Sequence, residues 1–242
     1  MLLSEFEKIF IEEAQKINIE LDKNQIEKFY KYMDLLIEWN EKINLTAITN
    51  RKDIIVKHFI DSLTIQRYLG DAVNIIDVGT GAGFPGIPIK IINPNLKVVL
   101  VDSLNKRINF LQEVIKKLNL DNIEVIHARA EDLGQNKKYR EAFDIVTSRA
   151  VANMSVLSEY LLPLTKVTGK CICMKGSDIE EELENSKYAI NLLGGKIEQV
   201  DKFELSNERI GRNIIIVKKL KNTPNSYPRK AGTPAKKPLI KN

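Results

Sequence analysis

Cysteine is scarce in this chain: Cys171 and Cys173 are the only two in 242 residues. Two positions apart in KCICMKG, they fall on one face of a strand, which suits reduced core residues better than a disulfide or a metal pair. Histidine is equally rare. His58 sits on an apolar helix beside Phe59 and Ile60, and His127 lies inside a strand, so both read as packing or surface residues and no metal is expected. Uncharged apolar runs all stop well short of the ~18 residues that span a bilayer, which excludes an ordinary membrane helix. The opening MLLSEFEKIFIEEAQK carries four acids before any cleavage-like small-residue site, unlike a secretory leader. Together these absences point to a reducing, cytoplasmic setting with no membrane partner.

What is present is an ordinary globular composition, 43% hydrophobic and 29% charged, in a length that suits one large α/β domain or a main domain with a small appendage. The net charge of +5 hides an asymmetry. From Lys218 to Asn242 there are eight Lys/Arg, no acid and four of the eight prolines, while the rest of the chain holds 29 bases against 32 acids. Such a tail lacks the apolar surface to fold by itself and is expected to be an extended arm. Basic arms of this kind face nucleic-acid phosphates or simply water.

Residues 1 to about 70 read as helical. In NQIEKFYKYMDLLIEWNEKINL, Ile26, Phe29, Met33, Leu36 and Ile37 recur at three- and four-residue steps and give one buried face, with Tyr30 and Trp39 among apolar neighbours. DIIVKHFIDSLTIQRYLG is a second amphipathic stretch that stops at Gly70, and INLTAITN between them reads as a turn or short strand. From Val73 the pattern changes. NIIDV, KVVLVD, IEVIHA, FDIVTS and KCICMK are short Val/Ile-rich runs, and GIPIKIIN, LNKRINFLQEVIKKLNL and VANMSVLSEYLLPL between them are helical. In the second of these helices Leu104, Ile108, Leu111, Ile115 and Leu118 form the expected core stripe. This alternation means βαβ units around a mostly parallel sheet buried on both faces. GKIEQVDKFEL and GRNIIIVKKL are too close for a crossover and predict an antiparallel hairpin at the sheet edge. The expected organisation is a helical region over 1–70 packed on a main domain over 71–220, followed by a basic Pro/Lys-rich arm over 221–242.

NIIDVGTGAGFPGIP carries the strongest local signal. Gly81, Gly83 and Gly86 satisfy a GxGxxG pattern, but the glycine that follows the strand is Gly79, whose frame puts Phe84 where the third glycine should stand. The informative unit is D-V-G-T-G-A-G: Asp77 closes the strand, Gly79, Gly81 and Gly83 alternate, and Pro85 and Pro88 suit the first turn of the next helix. This is the pattern of S-adenosylmethionine sites, where a carboxylate near the turn is tolerated because the ligand carries a sulfonium and no phosphate. Asp102 closes the second strand, 23 residues beyond Gly79, where a carboxylate can accept both ribose hydroxyls, a feature shared with NAD sites. Ala128-Arg129-Ala130-Glu131-Asp132 ends the third strand beside the expected adenine. The acidic ends all fall at the carboxyl edge of the sheet, where open α/β folds bind ligands. The fold class is therefore a class I S-adenosylmethionine-dependent methyltransferase sheet, Rossmann-like, with a helical N-terminal extension.

WNEKINLTAI, VKHFIDSL, IIDVGTGAGFPGIPIKI, LVDSLNKRINFL, ARAED, TSRAVA, MKG and YPRKAGTPAKKPL also resemble the RsmG (GidB) family of bacterial small-subunit rRNA methyltransferases, collinearly from about Trp39 to Pro238. The resemblance implies methylation of guanine N7 in a decoding-region hairpin of 16S rRNA, with S-adenosyl-L-methionine as donor. It also implies a donor site comprising Gly79, Phe84, the corner Asp102-Ser103-Leu104, Ala130-Glu131 and Arg149. The acceptor would be 16S rRNA, the small ribosomal subunit or an assembly intermediate, and nothing requires an oligomer. The same fold could act instead on another RNA or a small molecule, against which the basic arm argues. A NAD-dependent oxidoreductase would need a phosphate-friendly turn and a substrate domain that are not visible.

N7 has an in-plane lone pair and no proton, so no acid or base is assigned and alignment is expected to carry catalysis. The sequence agrees in lacking an Asp/Asn-Pro-Pro-aromatic motif after the fourth strand; FDIVTSRAVA instead places Ser148 and Arg149 there. Arg149 is expected to serve the donor or the RNA as a fork donor, or else to pair with Glu131 or Asp132, and Arg149→Ala to abolish methylation with little loss of fold. Arg107, Lys175, Arg229, Lys230, Lys236 and Lys237, with Lys106, form the expected electrostatic track for RNA. Deletion of 222–242 is expected to weaken RNA binding and leave donor binding intact.

Overall fold

The structure is a computed structural model that describes residues 1–205 and 209–241. Helix α1 (Leu3–Lys16) is followed by α2 (Lys23–Ile43), whose start is fixed by a capping box: the Asp22 carboxylate accepts from the Gln25 amide while the Gln25 side chain accepts from the Asp22 amide. Its buried face is Ile26, Phe29, Tyr32, Met33 and Leu36, with Ile37 only partly covered. INLTAITN forms no strand. The next helical stretch is broken into α3 (Arg51–Ile54), a π turn (Ile55–Ile60), α4 (Asp61–Leu63) and a 3-10 turn (Thr64–Tyr68), and Gly70 with φ +54° ends it. The π turn inserts a residue into the helical register and so re-aims Lys57, His58 and Asp61.

Seven strands follow: β1 (Asn74–Val78), β2 (Lys97–Asp102), β3 (Ile123–His127), β4 (Phe143–Arg149), β5 (Thr165–Lys175), β6 (Gly195–Leu205) and β7 (Ile210–Lys219). They stand in the order β3-β2-β1-β4-β5-β7-β6; the first five run parallel, and β7 is antiparallel to both β5 and β6. Between strands lie α5 (Gly86–Ile92), α6 (Asn105–Leu118), α7 (Ala130–Gln135), α8 (Met154–Leu161) and α9 (Glu180–Leu192), and α10 (Thr233–Lys236) closes the chain. The sheet and its terminal hairpin agree with the sequence expectation. Helices α7 and α9 did not stand out there, the first because six residues hold no periodicity and the second because few of its positions are apolar. The core stripe of α6 is also displaced: Leu104 is exposed at the helix start, and Phe110 and Val114 are buried with Ile108, Leu111 and Leu118.

Both sheet faces are covered, as runs such as NIIIV require. Ile75, Leu100, Ile145, Ile172, Ile214 and Ile216 point to the face carrying α1, α2, the broken helix, α5 and α6. Their neighbours Ile76, Val101, Val146, Cys173, Ile215 and Val217 point to the other, against α7, α8 and α9. Burial pushes the Cys171 thiol up to about 11 and Cys173 further, so both cysteines are inert core residues. The N-terminal helices thus share the cover of one sheet face with α5 and α6. A chain of rings, Phe10, Phe29, Phe59, Tyr32 and Phe84, runs from α1 to the glycine turn, where the Tyr32 hydroxyl donates to the Ala82 carbonyl.

The basic arm is not an extended tail. It folds back over α7 and α8, with Thr223, Pro228 and Pro234 buried. Arg140 holds it from below: Nη1 donates to the Tyr227 and Gly134 carbonyls at 2.8 and 2.7 Å, and Nη2 to the Thr223 carbonyl at 2.8 Å. The segment cannot fold alone, but it needs only a finished surface to dock on.

Candidate active site

Asp77 builds the turn after β1. It is fully buried; its Oδ2 accepts from the Thr80 hydroxyl at 2.6 Å and from the Gly86 amide at 2.9 Å, so one carboxylate spans the whole loop from strand end to the start of α5. Among the described residues Oδ1 has no partner, and burial pushes the Asp77 carboxyl up to about 6 against the pull of those two donors. Gly79, Gly81 and Gly83 have φ of +69°, +62° and +98°, the left-handed conformations that only glycine adopts freely. A Cβ on Gly79 would meet Val151 at 2.4 Å, whereas one on Gly81 would meet nothing within 4 Å.

Two cavities flank the end of β4. The first, of about 250 Å³, opens at the carboxyl ends of β1 to β3: Val78, Gly79, Val101, Asp102, Ser103 and the stretch Ala128 to Glu131 line it, with Val151, Ala152 and Tyr160 opposite and Ala235 from the arm. Asp102 is 2% exposed, and its carboxylate accepts from the Gly81 amide at 2.9 Å, the Leu104 amide at 2.9 Å and Arg107 Nη1 at 3.0 Å. Three of its roughly four lone-pair positions are therefore taken. The Glu131 carboxylate accepts from the Gly232 amide at 2.8 Å, which ties the first turn of α7 to the arm.

The second cavity, of about 290 Å³, lies at the ends of β4 and β5 and is lined by Lys57, His58, Asp61, Arg149, Ala150, Met174, Lys175, Gly176 and Arg212. Asp61, 3% exposed, is held between two arginines: Oδ2 accepts from Arg149 Nη1 at 2.8 Å and Oδ1 from Arg212 Nε at 2.9 Å. Arg149 also donates to the Lys57 carbonyl at 3.1 Å and lies over the Phe84 ring, 5.0 Å from its centroid. His58 Nδ1 stands 3.1 Å from Arg149 Nη2, and because arginine only donates, Nδ1 must be the acceptor and the proton must sit on Nε2, which donates to the Thr46 hydroxyl at 2.8 Å. Burial first and the Arg149 charge second hold His58 down to about 3, so it is neutral at ordinary pH.

The structure thus gathers Gly79, Asp102, Ser103, Ala130 and Glu131 around one cavity and places Arg149 and Phe84 together by the other; Leu104 contributes its amide, not its side chain. Arg149 pairs with Asp61, not with Glu131 or Asp132. Ser148 is a tie between strands, its hydroxyl donating to the Val78 carbonyl at 2.8 Å. Of the expected RNA track, Arg107 is bound to Asp102, Lys175 donates to Glu182 and to the Ala152 carbonyl, both at 2.5 Å, and Arg229 grips the buried Glu159. Lys230, Lys236 and Lys237 remain on the surface. Because Ala235 lines the first cavity, the arm and that cavity are not independent. Asp61, Arg212, Tyr160 and Ala235 escaped the sequence reading, since each acts from a segment remote in sequence from the glycine turn.

The profile of the GidB family, described as rRNA small subunit methyltransferase G, matches residues 25–211. The chain belongs to this family. It is 55% identical over 228 residues to the ribosomal RNA small subunit methyltransferase G of Desulforamulus reducens, covering 93% of this chain and 95% of that one. Against the protein of the same name from Acetivibrio thermocellus it is 54% identical over 233 residues, with 96% of each chain covered. Among solved structures it is similar to the 16S rRNA (adenine(1408)-N(1))-methyltransferase of Catenulisporales acidiphilia, seen with cosubstrate SAM, at a TM-score of 0.51 and 14% identity over 67% of this chain and 91% of that one. TrmN of Thermus thermophilus gives a TM-score of 0.51 at 15% identity, over 69% of this chain and 53% of that one. At such identities the likeness shows the fold. The family's donor is S-adenosylmethionine, and the residues of the first cavity fit it. Among the described residues its lining holds two carboxylates, Asp102 and Glu131, and a single cation, Arg129, an arrangement suited to a sulfonium and hostile to a pyrophosphate.

Proposed function

We propose that this chain methylates N7 of a guanine in 16S rRNA of the small ribosomal subunit, with S-adenosylmethionine as donor. The observation that carries the reading is the first cavity: a left-handed glycine turn braced by Asp77 faces an acid-lined, phosphate-averse recess at the carboxyl edge of a methyltransferase sheet. Asp102, with the Ser103 and Leu104 amides beside it, would hold the ribose; its one open lone-pair position takes one hydroxyl, and the second requires Arg107 to swing away. Ala130 and Glu131 would border the adenine. Gly79 and its neighbours would take the amino-acid end, toward Arg149 and Phe84.

When bound, the donor supplies a methyl group on a sulfonium, which is already a good electrophile. The chain's own task is to orient and to exclude water. Guanine N7 has no proton to lose, and the one histidine near β4 is held at about 3, too weak a base to matter at neutral pH. The second cavity, open at the same sheet edge and edged by Arg149 and Arg212, is where the acceptor base would enter. A guanine in a closed A-form groove cannot reach it, so the target must be looped or flipped. Among the described residues no helix is long and apolar enough to cross a membrane, and two buried thiols suit the reducing cytoplasm.

Transfer of label from S-adenosylmethionine tritiated in its methyl group tests this. Label should enter 16S rRNA in small subunits or assembly intermediates and be absent from ribosomal protein; label in protein, or in no RNA, contradicts it.

A further inference from the structure

The arm meets the wall of the donor cavity at two points and is latched beside it at a third. Arg229 donates through its backbone amide and Nε to Glu159 Oε1 at 2.8 and 2.9 Å, and through Nη2 to Oε2 at 2.6 Å. Glu159 is 0% exposed, on the helix that also brings Tyr160 to the cavity, so this is a closed latch and not a surface pair. Three residues on, the Gly232 amide takes one oxygen of Glu131, a carboxylate of the cavity wall. Three further on, Ala235 is itself part of that wall. The inner side of the arm is therefore built into the cavity, while Lys230, Lys236 and Lys237 lie on its outer side in solvent.

We propose that the C-terminal arm is a working part of the donor site, latched by Arg229 on Glu159, and that rRNA phosphates bound to its outer lysines hold it down, so that donor and RNA tighten each other's binding. The proposal rests on the methyltransferase reading above and adds the coupling to it. The two sites are linked: a segment that contributes one surface to each ligand gives each ligand a stake in its position, and the gain must be reciprocal.

Calorimetry with S-adenosylhomocysteine separates the two ideas. A wild-type chain that does not bind it overturns the methyltransferase reading itself. If wild type binds, Arg229→Gln is expected to weaken the affinity about tenfold or more. Ala235→Trp provides a second variant: the residue is exposed, so the fold survives, and the larger ring intrudes on the cavity and should cost at least as much. Wild-type affinity in Ala235→Trp, with an unchanged circular dichroism spectrum, overturns the proposal and leaves the reading standing. Coupling is read by repeating the titration with a saturating 16S rRNA fragment. Wild type should gain about fivefold or more, and a variant with Lys230, Lys236 and Lys237 changed to Gln should lose most of that gain. An equal gain in both, or none in wild type, overturns the coupling.

Discussion

Arg149 shows what a side chain gains from its surroundings. It touches Asp61, His58, the Lys57 carbonyl and the Phe84 ring, and none of these could be inferred from the SRA segment that singled it out. Because Asp61 is nearly sealed, removing the guanidinium leaves a buried carboxylate on Arg212 alone, so Arg149→Ala should lose about 2–3 kcal/mol of stability as well as activity. The expectation of little loss of fold is thus revised. Arg149→Lys keeps the charge and loses the fork; methylation should fall about 100-fold with the fold retained. Urea unfolding beside a turnover assay checks both, and wild-type turnover in the Lys variant would take Arg149 out of the site.

Two buried groups make opposite pH predictions. His58 titrates at its ordinary 6.5 when unfolded and at about 3 when folded, so its contribution is whole above 6.5 and is lost as pH falls toward 3. Asp77 is raised from 3.8 to about 6, so it costs stability progressively as pH rises from 3.8 to 6. Between pH 4 and 6 the two slopes oppose each other, each of order 1 kcal/mol per pH unit. Relative to wild type, His58→Gln should lose stability as pH rises through that window and Asp77→Asn should gain it. Curves parallel to wild type in both variants would refute these assignments.

At the scale of elements, the strands were legible because a parallel strand buried on both faces has to be a bare apolar run. The glycine turn was legible because three left-handed residues in alternation strongly favour glycine, whereas isolated ones such as Asn44 and Ala150 do not need it. Their roles differ, however. A Cβ on Gly83 would strike the Tyr32 hydroxyl and Ile87, both at 2.6 Å, while one on Gly81 would meet only open space. Gly81→Ala should therefore cost about 1 kcal/mol, for backbone strain alone, and Gly83→Ala about 3 kcal/mol through the added clash. Thermal unfolding of the pair decides; equal losses would contradict the packing of α2 under the turn. What stayed hidden was whatever depends on partners far along the chain: the π turn that aims Asp61, and the docking of Arg229 on a glutamate 70 residues away.

Across the whole molecule, the separation of charge seen in the sequence is real, but composition misjudged its use. Of the eight basic residues from Lys218 onward, Lys219 is fully buried against Glu141 and Thr223, and Arg229 is spent on Glu159. Composition counts charges and cannot tell which are consumed inside. The outer lysines of the arm are left for phosphate, so RNA affinity should fall with salt, and changing Lys230, Lys236 and Lys237 to Gln should reduce the log–log slope by about three. Filter binding from low to moderate salt reads that slope; an unchanged one would place the RNA elsewhere.

The most direct measurement of the account is chemical. N7-methylguanine, once reduced with borohydride, yields to aniline cleavage of the RNA strand at its own position. Small-subunit RNA from cells with and without this protein, cleaved in this way, should differ at one guanine in a looped segment of the decoding region, and the purified chain with S-adenosylmethionine should restore the cut. Identical cleavage patterns, or a new methyl group at any atom other than N7, would contradict it.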